Sequence, residues 1–299
     1  MMQIMDGSYE AKADRNVIRE VTVHPPRGLI FDRNNNLVVN NQAVHDLTIT
    51  PLKVKGLDTL KLCELLGVTR YDFQQAILRA KSKKGYSAYK PQVLFKHLPK
   101  LSYDRLKEHL YKFPGFDTQR RTVRSYPHRS APHVLGYIGE VNQKQIDNSE
   151  YYTMGDYIGI SGIEKTYEQQ LRGEKGVEYM IVDVHSRTIG NYKDGKNDRE
   201  AVEGQNLKLT LDIELQNYAE ELMRNKRGAL VAIEPKSGEI LSIVSAPTYD
   251  PNIFSQRGES ILQLQRDTLK PLFNRALEAP YPPGSTFKPL MTLLALNEG

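Results

Sequence analysis

Apolar and polar positions trade places along this chain in two different periods. Leu29-Ile30-Phe31 and Leu37-Val38-Val39 flank Asn34-Asn35-Asn36. The pattern predicts strand, turn and strand, because asparagine tolerates the left-handed backbone of a tight hairpin. Alternation over residues 44–50 predicts a further strand. The spacing then turns helical. Residues 57–66 form a helix with Asp58 as its cap, and residues 71–81 form an amphipathic one. Residues 91–98 read as a strand, and Ser102 caps a helix over 103–111 that Pro114-Gly115 ends. Further on, Ser161 opens a helix through Leu171 with Glu164 completing a capping box, Gly173 ends it, and residues 177–184 form a strand.

The polar stretch 191–205 marks the best domain boundary. Beyond it residues 207–211 form a strand and Asp212 caps a helix over 213–225. A hairpin pairs 229–233 with 239–245 through Glu234-Pro-Lys-Ser-Gly238. A long connector, 247–277, leads to the last stretch. There Phe287, Leu290, Met291, Leu293, Leu294 and Leu296 make a helix apolar on nearly every side. Such a helix belongs in a protein centre.

At 299 residues the chain has room for two domains and a real core. With 39% hydrophobic and 26% charged residues it has an ordinary globular composition. The net charge of +5 is a mild excess without a long Lys/Arg block, and no nucleic-acid motif accompanies it. The one cysteine, Cys63, falls in a helix as a small buried apolar residue. No run approaches the roughly 18 apolar residues of a membrane span. The first segment, up to Val21, reads as a polar helix.

Several clusters invite chemistry and read better as structure. His128 and His133 lack a clear third ligand, so no metal is expected. The glycines fit neither dinucleotide nor P-loop spacing, so no cofactor is expected. Arg27, Asp32 and Arg33 read as a charged network stapling a hairpin at a domain junction, and Glu164 and Glu168 as solvated helix charges. The stretch Ala279-Pro-Tyr-Pro-Pro-Gly-Ser-Thr-Phe-Lys-Pro289 is different. Its Pro-Pro-Gly turn delivers Ser285 to a helix start, where the dipole is positive. Lys288 follows one turn on, placed to take the hydroxyl proton. Pro289 still sits where its missing N–H costs nothing.

The stretch YPPGSTFKP resembles the active-serine motif of the penicillin-binding transpeptidases. Upstream, Arg27-Gly28…Asp32-Arg33-Asn34, Arg124-Ser-Tyr-Pro127, His133-Val-Leu-Gly-Tyr-Ile-Gly139 and residues 155–190 resemble the pedestal of the class B, monofunctional members. The elongation-specific branch is the most similar. The resemblance implies an α+β chain: an elongated pedestal over 1–203 with a helical head insert at about 53–117, then the start of a transpeptidase domain over 204–299.

It also implies chemistry. Ser285 would be the nucleophile and half of an oxyanion hole through its backbone N–H, and Lys288 the general base. The substrate would be a peptidoglycan stem peptide ending in D-Ala-D-Ala, with penicillins trapped at the acyl stage. Partners would be a SEDS-family glycosyltransferase and the elongation complex, at the periplasmic face of the cytoplasmic membrane. The family's Ser-x-Asn and Lys-Thr/Ser-Gly motifs are expected beyond Gly299, and a membrane anchor ahead of Met1. The stretch 1–299 alone is therefore expected to be inactive. Rival readings are a β-lactamase or β-lactam sensor, which the long pedestal weighs against, and a non-catalytic platform for the polymerising partner.

Overall fold

The structure, a computed structural model, describes residues 18–82, 86–89, 91–182, 188–255 and 259–298. Residues 1–17 of the leading segment and the last two residues of the strand expected at 177–184 lie outside the described residues, while residues 18–21, expected to be helical, are strand because they pair with 178–181.

Twelve strands and their helices form an α+β arrangement. β1 (Ile18–Val23) pairs antiparallel with β8 (Gly176–Val182), which pairs with β9 (Thr188–Asn191). The expected asparagine hairpin joins β2 (Ile30–Phe31) to β3 (Leu37–Ile49), and Asn35 takes the left-handed backbone at φ 65°. β3 is longer than its alternation suggests. Its second half is flanked by β4 (Gln92–Leu98) and β5 (Phe116–Ser125), both antiparallel to it. A small hairpin, β6 (Ile138–Glu140) with β7 (Tyr157–Gly159), stands apart.

The head packs its own core. The helices Thr59–Leu66, Arg70–Lys81 and Lys100–His109 close over β3, β4 and β5, burying Leu62, Phe73, Leu106, Leu47 and Phe95. Asp58 accepts from Lys61 N, and Thr69 and Asp72 form a full capping box. Ser102 is no cap: that helix starts at Lys100 after Pro99, and the Ser102 hydroxyl donates to Leu66 O at 3.2 Å. A proline already ends the preceding strand, so the helix starts earlier than the serine.

The second core belongs to both halves of the chain. β10 (Leu207–Lys208) lies parallel against β2, so Leu211 and Ile213 pack with Ile30, Val38, Val39, Leu135 and Leu171. The polar stretch before it folds back on β8, with bridges from Glu174 to Val202 and from Val177 to Arg199. Asp212 caps the helix Ile213–Leu222 as expected, accepting from Glu214 N and Leu215 N. That helix packs on β12 (Ile240–Ala246), paired antiparallel with β11 (Gly228–Ile233).

Two expectations are corrected. The helix from Ser161 breaks at Tyr167 into Gly162–Thr166 and Glu168–Arg172, without a side-chain cap from Ser161. Glu164 and Glu168 are not solvated either; both are buried, at 0% and 9% exposure. Their carboxylates are drawn inward by Arg27 and Arg124, which leaves Glu164 no freedom to complete a capping box.

Candidate active site

The serine stretch begins as a tight turn. Gly284 takes φ 59°, a backbone that costs an L side chain dearly and glycine little. Residues Gly284–Phe287 form one 3-10 turn, and the α-helix Lys288–Glu298 follows directly. Ser285 therefore sits in the turn that leads into the helix, three residues ahead of Lys288, where the α-helix begins. The Lys288 N–H donates to the Ser285 carbonyl, which ties the two residues into one turn. Thr286 and Thr292 back-bond to Pro283 O and Lys288 O and leave the Ser285 hydroxyl unengaged by them.

The apolar helix lies uncovered among the described residues, as expected of this stretch without the strand that the resemblance places after it. Ser285 and Lys288 are exposed, and so are Phe287, Leu290, Met291, Leu293, Leu294 and Leu296, the last at 76%. Among the described residues no layer covers this helix, and β12 carries the helix Ile213–Leu222.

The first part of the chain holds a buried charged cluster. Arg27 Nε donates to Glu164 Oε2 at 2.7 Å, and its Nη2 reaches Glu168 Oε2 at 2.5 Å. Arg124, itself buried, donates to Glu164 Oε1, Asn41 Oδ1 and Gly28 O at 2.7–2.8 Å. Burial works against the Arg27 charge, but the two carboxylates outweigh it and hold its pKa above the ordinary value. Tyr152 donates to Glu168, and burial pushes its phenol up to about 12. These are charges satisfied inside the protein, in ion pairs that order the junction.

Arg27, Asp32 and Arg33 do not form one charged network, because Arg27 turns to Glu164 and Glu168; Asp32 staples the hairpin to the junction through hydrogen bonds instead. Its oxygens accept from Asn34 N, Asn36 N, Asn36 Nδ2 and, across the junction, Ile213 N. Arg33 reaches Glu239 in the hairpin beyond. His133 bonds Pro271 O at 2.9 Å and His128 is exposed, so the histidines serve different surroundings. Sequence reasoning missed Glu164 as an interior residue. The available signal was Gly159 and Gly162 around it, since a Cβ on Gly159 would stand 2.0 Å from Glu164 O.

Comparison with known proteins agrees with this architecture. Residues 22–209 match the penicillin-binding protein dimerisation domain, and residues 228–299 match the penicillin-binding protein transpeptidase domain. The chain belongs to the penicillin-binding protein family, in its class B form with a dimerisation domain ahead of the transpeptidase domain. It is 34% identical over 299 residues to the peptidoglycan D,D-transpeptidase MrdA of Acinetobacter baumannii, covering 97% of this chain and 43% of that protein. To MrdA of Escherichia coli strain K12 it is 32% identical, covering 97% and 47%. The solved complex between PBP2 and MreC from Helicobacter pylori superposes with a TM-score of 0.75 at 28% identity, covering 94% of this chain and 53% of that one. The chain thus spans less than half the length of these curated relatives. No helix among the described residues is long and apolar enough to cross a membrane.

Proposed function

We propose that this chain is the front portion of a peptidoglycan D,D-transpeptidase acting in cell-wall elongation, and that Ser285 and Lys288 are its nucleophile and general base. The observation that carries the reading is the Pro-Pro-Gly turn that presents an exposed serine with a lysine in the same turn, in a chain of this family. Lys288 Nζ takes the Ser285 proton as Oγ attacks the carbonyl carbon of the penultimate D-alanine. The C–N bond to the terminal D-alanine breaks, that amine leaves with the proton, and an ester remains on Ser285. A neighbouring stem amine then attacks the ester, an amide cross-link forms, and the serine recovers its proton. The Ser285 N–H supplies one oxyanion donor.

The second donor comes, in the family, from the Lys-Thr/Ser-Gly strand expected after Gly299. Loss of one such donor costs about 10²–10³ in rate. Residues 1–299 alone are accordingly inactive, and stoichiometric acylation of that purified stretch by a penicillin would contradict this. We assign 1–203 to the pedestal, with its head at about 53–117, and 204–299 to the transpeptidase domain. The place of action is the periplasmic face of the cytoplasmic membrane. The test of the main reading is to label host membranes with a tagged penicillin and capture the protein through its pedestal. A labelled protein is expected; an unlabelled one contradicts the reading.

A second reading has its own support. The head carries a closed core around Leu62, Phe73 and Leu106, while the serine helix is bare. A solved neighbour is a complex between PBP2 and MreC from Helicobacter pylori. The pedestal would then be a platform for a SEDS glycosyltransferase. Capture of that enzyme by the Ser285→Ala chain, equal to the unmodified chain, is expected; no capture by either contradicts it.

A further inference from the structure

Between the end of β12 and Ser285 the chain passes through a connector that leans on the pedestal at two separate places. The Asn252 side chain mimics a peptide group. Its Oδ1 accepts from Tyr126 N and its Nδ2 donates to Tyr126 O, both at 2.9 Å. Asp250 Oδ1 holds that amide in place, accepting from Asn252 N and Nδ2 at 2.8 Å. Tyr126 cannot yield easily, being 2% exposed with its phenol bonded to Gly136 O at 3.0 Å. Further along, His133 bonds Pro271 O at 2.9 Å and meets Tyr249 edge-on at 5.2 Å. Burial keeps that imidazole below its ordinary pKa, so it is neutral at pH 7 and the ring nitrogen facing Pro271 O is a plain N–H donor. Tyr137 stacks flat on Phe254 at 3.7 Å, closing an aromatic cluster between the two ties.

The connector is also fastened to the transpeptidase sheet at Ser245. The Ser245 hydroxyl donates to Phe273 O at 3.0 Å and accepts from Arg275 N at 2.9 Å. Arg275 is 3% exposed and folds its guanidinium over the carbonyls of Leu269, Lys270 and Phe273. The segment 269–278 is thus a preformed loop, held by β12 on one side and by the pedestal on the other, and it delivers the chain to the Pro-Pro-Gly turn.

We propose that Asn252 and His133 are positioning residues for the serine chemistry: they dock the connector on the pedestal, and that docking sets where Ser285 sits. The inference rests on the reading of Ser285 as nucleophile. It makes the pedestal part of the catalytic geometry. A displacement of the Tyr126–Gly136 segment carries Asn252 and Pro271 with it.

Hydrogen exchange on the 299-residue chain tests this without requiring activity. Asn252→Ala removes both bonds to Tyr126, and His133→Ala removes the Pro271 tie. Each variant is expected to lower protection of the Phe273, Arg275 and Glu278 amides roughly tenfold, the scale of one or two net hydrogen bonds. Amides of the head helix at 62–66 stay unchanged. Asn252→Asp keeps the acceptor for Tyr126 N and falls between; if Asn252→Ala disturbs the head as well, this variant decides on the same amides. Unchanged Phe273 and Arg275 amides in both alanine variants, or an Asn252 effect confined to 250–255, overturn the proposal.

A second readout separates positioning from mere stability. In the host protein, penicillin acylation of the Asn252→Ala variant is expected to slow in its chemical step about tenfold, with the preceding binding constant unchanged. A loss of binding with unchanged chemistry overturns the proposal. If the unmodified host protein takes no penicillin at all, the functional reading fails, whereas the exchange result still judges the docking.

Discussion

Arg124 Nε donates to Glu164 Oε1 at 2.7 Å with both side chains withdrawn from water, at 1% and 0% exposure. Glu164 joins Arg27 and Arg124 in one cluster. Breaking a buried pair by removing one partner costs about 3–5 kcal/mol, since a buried charge is left unmatched. Glu164→Ala is expected to lower unfolding stability by that amount in a urea titration. A loss below about 1 kcal/mol, the scale of an exposed pair, would refute the interior role.

Asp32 ties the hairpin to Ile213, and its titration reports on that tie. Burial alone would raise its pKa, but hydrogen bonds from Asn36, Ile213 and Asn34 outweigh burial and leave it below the usual carboxylate value. A group with a depressed folded pKa stabilises the fold above its unfolded pKa, about 3.9 for aspartate. That stability is lost as pH falls from there through the folded pKa. Asp32→Asn should therefore flatten the dependence of stability on pH below about 4 and lower stability at neutral pH. An acid limb with unchanged slope would count against the assignment.

Gly28 lies where two backbones touch. A Cβ there would stand 1.9 Å from the Gln205 carbonyl oxygen, and its own N–H donates to Leu171 O. Forcing a methyl against a backbone atom costs typically about 1–3 kcal/mol. Gly28→Ala should show that loss in thermal unfolding, while Gly190→Ala, with nothing near its added Cβ, leaves the midpoint in place. Equal behaviour of the two variants would contradict the close approach.

Cys63 gives a cheap probe of the head. It is buried at 6% exposure in the core with Leu62 and Leu66, and burial pushes its thiol pKa up. A buried, protonated thiol is inert. A thiol-specific dye should leave the native chain unlabelled and react once urea opens the head. Rapid labelling of the native protein would mean that the head core is open.

Local rules made much of this legible. Asp58, Asp212 and the asparagine hairpin are short-range devices, and each acts where the sequence places it. Long-range partners were not legible. Glu164 and Glu168 look like solvated charges because their partners, Arg27 and Arg124, lie far away along the chain. Asn252 carries no signal at all, since its work is done against the backbone of Tyr126. The serine helix was legible as an apolar helix after Ser285, but an apolar pattern states that a surface must be covered, not which part of a protein covers it.

The most direct test of the central claim is to locate the penicillin adduct. The host protein is labelled with a penicillin, digested, and its peptides weighed, with the Ser285→Ala variant treated in parallel. The account predicts one acyl adduct on the peptide carrying Ser285 and Lys288, absent from the variant. An adduct on another residue, or a Ser285→Ala protein that is acylated as before, would contradict it.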